Sequence, residues 1–380
     1  MESNNRVYAC AIVGGGLGGL CLAIQLADQG REVVLFEKNI YPFHRVCGEY
    51  ISNESWGFLE SLGVPLAEWD LPKISQLGIS AESGYMLNHR LGLGGFGISR
   101  YKLDAFLADL ARKKGVKVLE HCKVTDVVAH EQGYSIVTTR GMFYAELLCG
   151  SYGKYTPAFV QKMEGYDLAT DTSADNYIGV KYHIRADLPA HRIELHNFRD
   201  GYCGISKVEA NQYCLCYLTK SQNLRNHGNN IHDMEMEILN KNPFLRRYFF
   251  SADFIYKQPL VVSNVQFHKR RPLVGPLFQI GDAAGTISPL CGNGMSMAMR
   301  GSKILAYQMN RYFSGQLSRT QLEGTFRSEW NEAFSSRIQM GFYLQKLFGK
   351  NTLTDWSLRG LSLSSGLRNR IVAATHGDVF

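Results

Sequence analysis

The stretch Ala11-Ile12-Val13-Gly14-Gly15-Gly16-Leu17-Gly18-Gly19-Leu20 constrains this chain more than any other. An apolar run from Val7 to Val13 precedes it, short enough for a buried strand. After it Leu20, Ala23, Ile24 and Ala27 recur at helical spacing as far as Asp28. Between the two, the glycines read G-x-G-x-x-G at Gly14, Gly16 and Gly19. In that pattern the first glycine permits a tight turn and the second lets a pyrophosphate approach the backbone. The third lets the helix pack close to the strand. The helix start adds unpaired N–H groups and a positive dipole end for the phosphates. A second strand, Glu32 to Phe36, ends at Glu37, 23 residues after Gly14. An acid at about that distance accepts hydrogen bonds from an adenosine ribose. A plain glycine-rich turn explains the glycines but not the acid, so the spacing predicts a dinucleotide site.

A length of 380 residues predicts two domains or one large elaborated domain, and 45% hydrophobic with 20% charged residues is the balance of a globular protein. The first residues, Met1 to Asn5, carry no basic and apolar leader, and no apolar run is long enough to cross a bilayer. Nine cysteines without paired spacing predict reduced thiols and a cytoplasmic setting, and no Cys/His cluster has zinc spacing. Cys214 and Cys216 read as core packing on one face of a strand. The net charge of +7 suits anionic ligands or a membrane surface and gives no argument for nucleic acid. Lys346, Lys350, Arg359, Arg368 and Arg370 stand among Leu and Trp in a basic tail. That tail fits either a helix capping the domain or peripheral contact with the inner face of a membrane.

The expected fold class is α/β, with a Rossmann-like cofactor domain, an inserted antiparallel sheet and C-terminal helices. Residues 1–175 form the first part of the cofactor domain, with a mobile loop or hairpin near 71–99, where glycines cluster from Gly92 to Gly97. A helix is predicted from Lys102 to Lys114, and a hairpin from Val124 to Thr139. From 176 to 262 strands alternate around a polar helix, Ile231 to Lys241, as in a substrate-binding sheet. Residues 263–315 return to the cofactor domain with a last buried strand and Gly281-Asp282. Residues 316–380 form the C-terminal region, helical from Arg319 to about Phe348 and loose beyond. His268-Lys269-Arg270-Arg271 reads as a solvated loop in preference to an anion site.

The glycine motif, the acid closing strand two, Arg100 with Asp104, and Gly281-Asp282 before Pro289-Leu290-Cys291-Gly292-Asn293-Gly294 occur in that order. Together they resemble the FAD-binding fold shared by single-component flavin monooxygenases and geranylgeranyl reductases. The resemblance implies FAD. It places Asp282 on the ribityl hydroxyls, Arg100 near the phosphates and the backbone of Val124 against adenine. It also aims the helix opening at Gly292–Gly294 toward the flavin pyrimidine edge, where negative charge develops on reduction. Arg45 belongs to the same cofactor-binding set. In Arg45-Val46-Cys47-Gly48-Glu49 the Cys-Gly pair resembles that of geranylgeranyl reductases. Arg45 and His44 would lower the thiol pKa, and Cys47 with Glu49 would form a catalytic acid pair.

Two departures divide the chemistry. Tyr152-Gly153 stands where aromatic hydroxylases carry an Asp-Gly pair, which weakens direct use of NAD(P)H. The stretch from Gly201 to Glu209 keeps a Gly-Tyr opening but not the Y-x-W-x-F-P lipid clamp of the reductases, and halogenase tryptophans are absent. The sequence favours by a narrow margin a monooxygenase that hydroxylates an aromatic or polyketide-like ring through a flavin C4a-hydroperoxide. The alternative is reduction of an isoprenoid or lipid alkene. Either takes a lipophilic small molecule, with electrons from transient NAD(P)H or a separate donor. A non-catalytic flavin-binding assembly factor is the reading from another class.

Overall fold

In the computed structural model, which describes residues 6–166, 176–265, 270–286, 292–375 and 377–380, two sheets share the chain. The first has eight strands among the described residues and is parallel at its centre. Strand β1 (Val7–Val13) lies between β2 (Val33–Phe36) and the strand Gly141–Gly150, parallel to both. Helix α1 (Leu17–Asp28) packs on one face and is buried through Leu20, Leu22, Ala23 and Ile24. The register sets the functional edge. Val13 is level with both Phe36 and Gly150, and Gly150 is level with Gln279. The loops carrying Gly14, Glu37, Ser151 and Asp282 therefore leave the sheet side by side at its carboxyl end, where open α/β sheets hold ligands.

The second sheet has nine strands among the described residues, and its central pairs are antiparallel. In the strand Tyr177–Arg185 the inner residues Ile178, Val180, Tyr182 and Ile184 join Leu215 and Tyr217 in a core beneath the helices Ile231–Glu237 and Pro243–Ser251. The alternate residues Gly179, Lys181 and His183 face the other way. Lys181 pairs with Cys216, and His183 with Cys214, so those four side chains share the face toward the cofactor domain.

Of the mobile loop or hairpin expected near 71–99 the structure has the hairpin, Lys73–Ser80 with Met86–Gly97, and its first strand runs parallel to Arg192–Phe198 in the second sheet. The second sheet thus draws strands from well before residue 176. Its glycines mark close crossings: a Cβ on Gly97 would lie 1.8 Å from the Lys207 carbonyl, and one on Gly95 2.4 Å from that of Ile51. The tail expected to be loose is instead helical. Helices Asn351–Ser362 and Ser365–Thr375 follow the long helix Arg319–Leu347, whose start is fixed by a capping box of Ser318 and Gln321.

The second core also holds a buried acid. Glu235 Oε1 accepts hydrogen bonds from Tyr182 (2.9 Å) and Tyr217 (2.8 Å). Burial outweighs these bonds, and the carboxyl pKa is raised to about 7 from 4.5. A raised carboxyl pKa favours folding below pH 4.5, and that contribution is lost as pH rises toward 7. It amounts to roughly 3 kcal/mol over the window, at 1.36 kcal/mol per pH unit. Glu235→Gln should therefore gain stability relative to the native chain across this range, as read by urea unfolding at stepped pH. A difference that stays flat with pH would contradict the assignment.

Candidate active site

The glycines of the first loop have separate tasks. Gly14 has φ +108°, and a Cβ there would meet the Ser151 carbonyl oxygen at 2.3 Å. A Cβ on Gly19 would lie 2.2 Å from the Gly14 carbonyl, so this glycine brings α1 onto β1. Gly15 is closed by the Tyr41 hydroxyl. Gly16 is open: the nearest atom to its would-be Cβ is Arg100 Nη2, at 3.8 Å. The loop is closed where it meets the sheet and open where it meets an arginine.

Around that opening the charges are paired. Glu37 Oε2 accepts from the Gly15 N–H (3.0 Å) and from Arg45 (3.2 Å), and Oε1 accepts from the Asn39 N–H (3.0 Å). Asp104 receives both arginines, Arg45 at 3.1 Å and Arg100 through two bonds of 2.7 Å. Arg100 is the first residue of the helix Arg100–Lys113, which Ser99 caps. Burial works against its charge, yet Asp104 keeps its pKa raised. Val124 is buried at the start of its strand, and the Cys122 N–H donates to the Glu37 carbonyl, which ties that strand to the same corner.

The Arg45–Glu49 loop is held to the second sheet group by group. Lys181 Nζ donates to the Arg45 carbonyl (3.2 Å), Cys214 Sγ to that of Cys47 (3.1 Å) and Ser206 Oγ to that of Gly48 (3.1 Å). Glu49, fully buried, accepts from Lys181, from His183 Nε2 (2.7 Å) and from the Arg100 N–H (2.9 Å). Burial alone would raise the Glu49 pKa, but the His183 hydrogen bond and the Lys181 charge hold it below the usual carboxylate range. Burial would lower that of Lys181; Cys214 and Glu49 oppose it, and the shift is upward. Since burial also keeps the Cys214 thiol protonated, Glu49 is the partner that matters. Glu49, His183 and Cys214 bring three ligand atoms within 4.8 Å of one another, and the Glu49 carboxylate among them is already paired with the Lys181 ammonium.

Cys47 and Glu49 point to different places. The Cys47 thiol is half-buried and lies 3.7 Å from Met295 Sδ, in the first turn of the helix Gly294–Phe313. The acid pair expected of Cys47 and Glu49 does not suit this geometry: an ionised carboxylate with its donors in place is an anchor. His44 stacks on Tyr101, and burial lowers its pKa.

Gly281 (φ +62°) and Asp282 follow the last strand and, with Gly285, Gly294, Met297 and Trp330, line a small cleft. Asn293 is fully buried, its amide donates to the Thr375 carbonyl, and its Oδ1 has no partner among the described residues. Gly292 has φ +65° and packs on Tyr50. Pro289, Leu290 and Cys291 lie outside the described residues, as do His268 and Lys269. Arg270 is no solvated side chain, for it donates to the carbonyls of Gly153, Lys154 and Asp282.

The profile of the NAD(P)-binding Rossmann-like domain family matches residues 12–65. The solved myxobacterial chondrochloren halogenase, a variant of the FAD-dependent halogenases, superposes with a TM-score of 0.75 at 17% identity over 99% of this chain and 94% of its own. The fold is that of the FAD-dependent oxidoreductases. Among curated proteins, conditioned medium factor receptor 1 of Dictyostelium discoideum is 22% identical over 90% of this chain and 72% of its own length. Digeranylgeranylglycerophospholipid reductase 2 of Methanothermobacter thermautotrophicus is 24% identical over 95% of this chain and 88% of its own. The residues present fit FAD: an open Gly16 under Arg100, a carboxylate at Glu37, and an unpartnered Asn293 oxygen beside the Gly294 helix start.

Sequence reasoning named the glycines, Glu37, Arg45 and Arg100 but missed Lys181, His183, Ser206 and the hydrogen bond of Cys214. One signal was available. Lys181 and His183 are two ionisable residues at period two in a strand otherwise rich in Tyr, Ile and Val. Such residues inside a sheet need partners.

Proposed function

We propose that this chain is an FAD-dependent reductase of a carbon–carbon double bond in a lipophilic, isoprenoid-like substrate. The observation that carries the reading is the Arg45–Glu49 loop, whose Arg45, Cys47 and Gly48 carbonyls accept hydrogen bonds from the second sheet while one half-buried thiol faces the start of the Gly294–Phe313 helix. Bound FAD supplies the electron pair, after reduction by transient NAD(P)H or a separate donor. Cys47 is the residue placed to give the proton, and Glu49, through Lys181 and His183, is a positioning residue. Gly16, Arg45 and Arg100 hold the pyrophosphate, Glu37 the adenosine ribose, and Asp282 the ribityl chain. The Val124 backbone borders the adenine, while Asn293 and the helix start at Gly292–Gly294 meet the pyrimidine edge. The digeranylgeranylglycerophospholipid reductase similarity over nearly the whole chain supports the substrate class.

The test is anaerobic mixing of the photoreduced holoprotein with a geranylgeranyl lipid. Flavin should return to its oxidised spectrum and the product should gain two hydrogens by mass. Cys47→Ala should slow that step by about 10²–10⁴-fold, the range for loss of a positioned general acid. Reoxidation only with oxygen, with an aromatic ligand gaining one oxygen atom, would instead establish the ring hydroxylation that the sequence also supports. An unchanged rate in Cys47→Ala would remove the thiol from the mechanism.

A further inference from the structure

The C-terminal helices bury one face and leave another uncovered. Leu358, 2% exposed, holds the helix Asn351–Ser362 against the hairpin residues Ala81 and Leu87, and the equally buried Thr354 donates to the Leu347 carbonyl (2.7 Å). On the outer side Leu353 is 44%, Trp356 72%, Leu363 88% and Leu367 48% exposed. Leu363 lies in the link to the helix Ser365–Thr375, so the stripe continues from one helix to the next. Exposed side chains of this size in a row are costly in water and mark a contact surface. Their surroundings are basic: Lys346, Lys350, Arg359, Arg368 and Arg370 stand against the single Asp355 between residues 346 and 370.

A second basic feature adjoins the start of the same helix. Arg199, Lys220 and Arg225 line a polar cleft that contains one acid, Asp200. Glu82 ties the two together, accepting from the Arg199 N–H (3.0 Å) and from Asn351 Nδ2 (2.9 Å), and the Asp200 N–H donates to the Gly349 carbonyl (2.9 Å). Apolar side chains beside two groups of cations match the layering of an anionic bilayer, acyl chains below and phosphates above.

We infer that this surface docks the protein on an anionic lipid bilayer, with Trp356 and Leu363 entering the interface and the basic residues meeting headgroup phosphates. A lipophilic substrate would be met at this surface, and because the surface lies apart from the flavin-site residues, vesicle binding and turnover are separate readouts.

The experiment is co-sedimentation of the full-chain holoprotein with vesicles of equimolar phosphatidylglycerol and phosphatidylcholine, alongside vesicles of phosphatidylcholine alone. Binding should require the anionic lipid, weaken with salt, and blue-shift tryptophan emission, a shift that Trp356→Phe reduces. Trp356→Ser and Leu363→Ser should each weaken binding by about tenfold or more. Their flavin spectra should stay native, because both residues are exposed. No sedimentation, or equal sedimentation of the double variant, would overturn the inference. So would a dimer that Trp356→Ser dissolves without any vesicle binding, which would assign the stripe to a second copy of the chain.

Discussion

Lys181→Met should lower the free energy of unfolding by about 3–5 kcal/mol, the cost of leaving one partner of a buried ion pair behind. Lys181 is 1% exposed and Glu49 fully buried, so no solvent is at hand to replace the lost ammonium. The methionine fills the space of the lysine stem, which limits the cavity contribution. What remains is an anionic Glu49 facing His183 and the Arg100 N–H alone. Glu49 also sits at φ +56°, a left-handed conformation that a non-glycine residue keeps only when its surroundings fix it. Loss of Lys181 also frees the Arg45 carbonyl, so the variant should bind FAD more weakly as well as unfold earlier. Glu49→Gln added to Lys181→Met removes the unpaired charge and should recover a large part of the stability, a coupling that a double-mutant cycle reads directly. Urea unfolding followed by tryptophan fluorescence is the measurement. A loss below about 1 kcal/mol, the scale of an exposed pair, would show that the pair does not anchor the loop.

The contrast between legible and hidden parts of this site follows from the range of the forces. Gly14, Gly16, Gly19 and Glu37 are legible because each answers a constraint set within one βαβ unit, a turn, a close approach or a strand end. The partners of Glu49 lie 132 and 134 residues away in the chain, and only the pairing register of the second sheet brings them to it. The period-two pair Lys181 and His183 signals that partners are needed, but nothing local to the strand says which residue supplies them. The glycines from Gly92 to Gly97 left a loop and a hairpin both open for a related reason. Glycine serves mobility and close backbone crossing alike, and only the neighbouring Ile51 and Lys207 carbonyls show which applies. The tail was hard to read because its helices are short and take their order from distant packing, Leu358 on Ala81 and Leu87 and Val372 on the cluster of Tyr50, Ile74 and Leu91.

The glycine loop yields the second large effect, and it separates folding from cofactor binding. Gly19→Ala places a methyl 2.2 Å from the Gly14 carbonyl, just past the buried strand that organises the first sheet, and 3.2 Å from Ile12 Cγ2 within that strand. Backbone cannot yield there cheaply, so α1 must shift away from β1, and both stability and FAD affinity should fall. Gly16→Val is different in kind. Its side chain grows into open space, with only the end of Arg100 nearby, so the apoprotein should unfold within about 0.5 kcal/mol of the native chain. The same space is where the pyrophosphate must approach the N–H groups at the start of α1. Excluding it should cost FAD at least about 100-fold in affinity, or roughly 3 kcal/mol. Titration of each apoprotein with FAD, beside urea unfolding of the same samples, separates the two. If Gly16→Val kept native affinity, the pyrophosphate would have to lie elsewhere, and the cradle of Arg45, Arg100 and Asp104 would need another occupant. If it lost affinity while Gly19→Ala lost both, the three glycines would divide as the steric contacts require: two for the fold and one for the ligand.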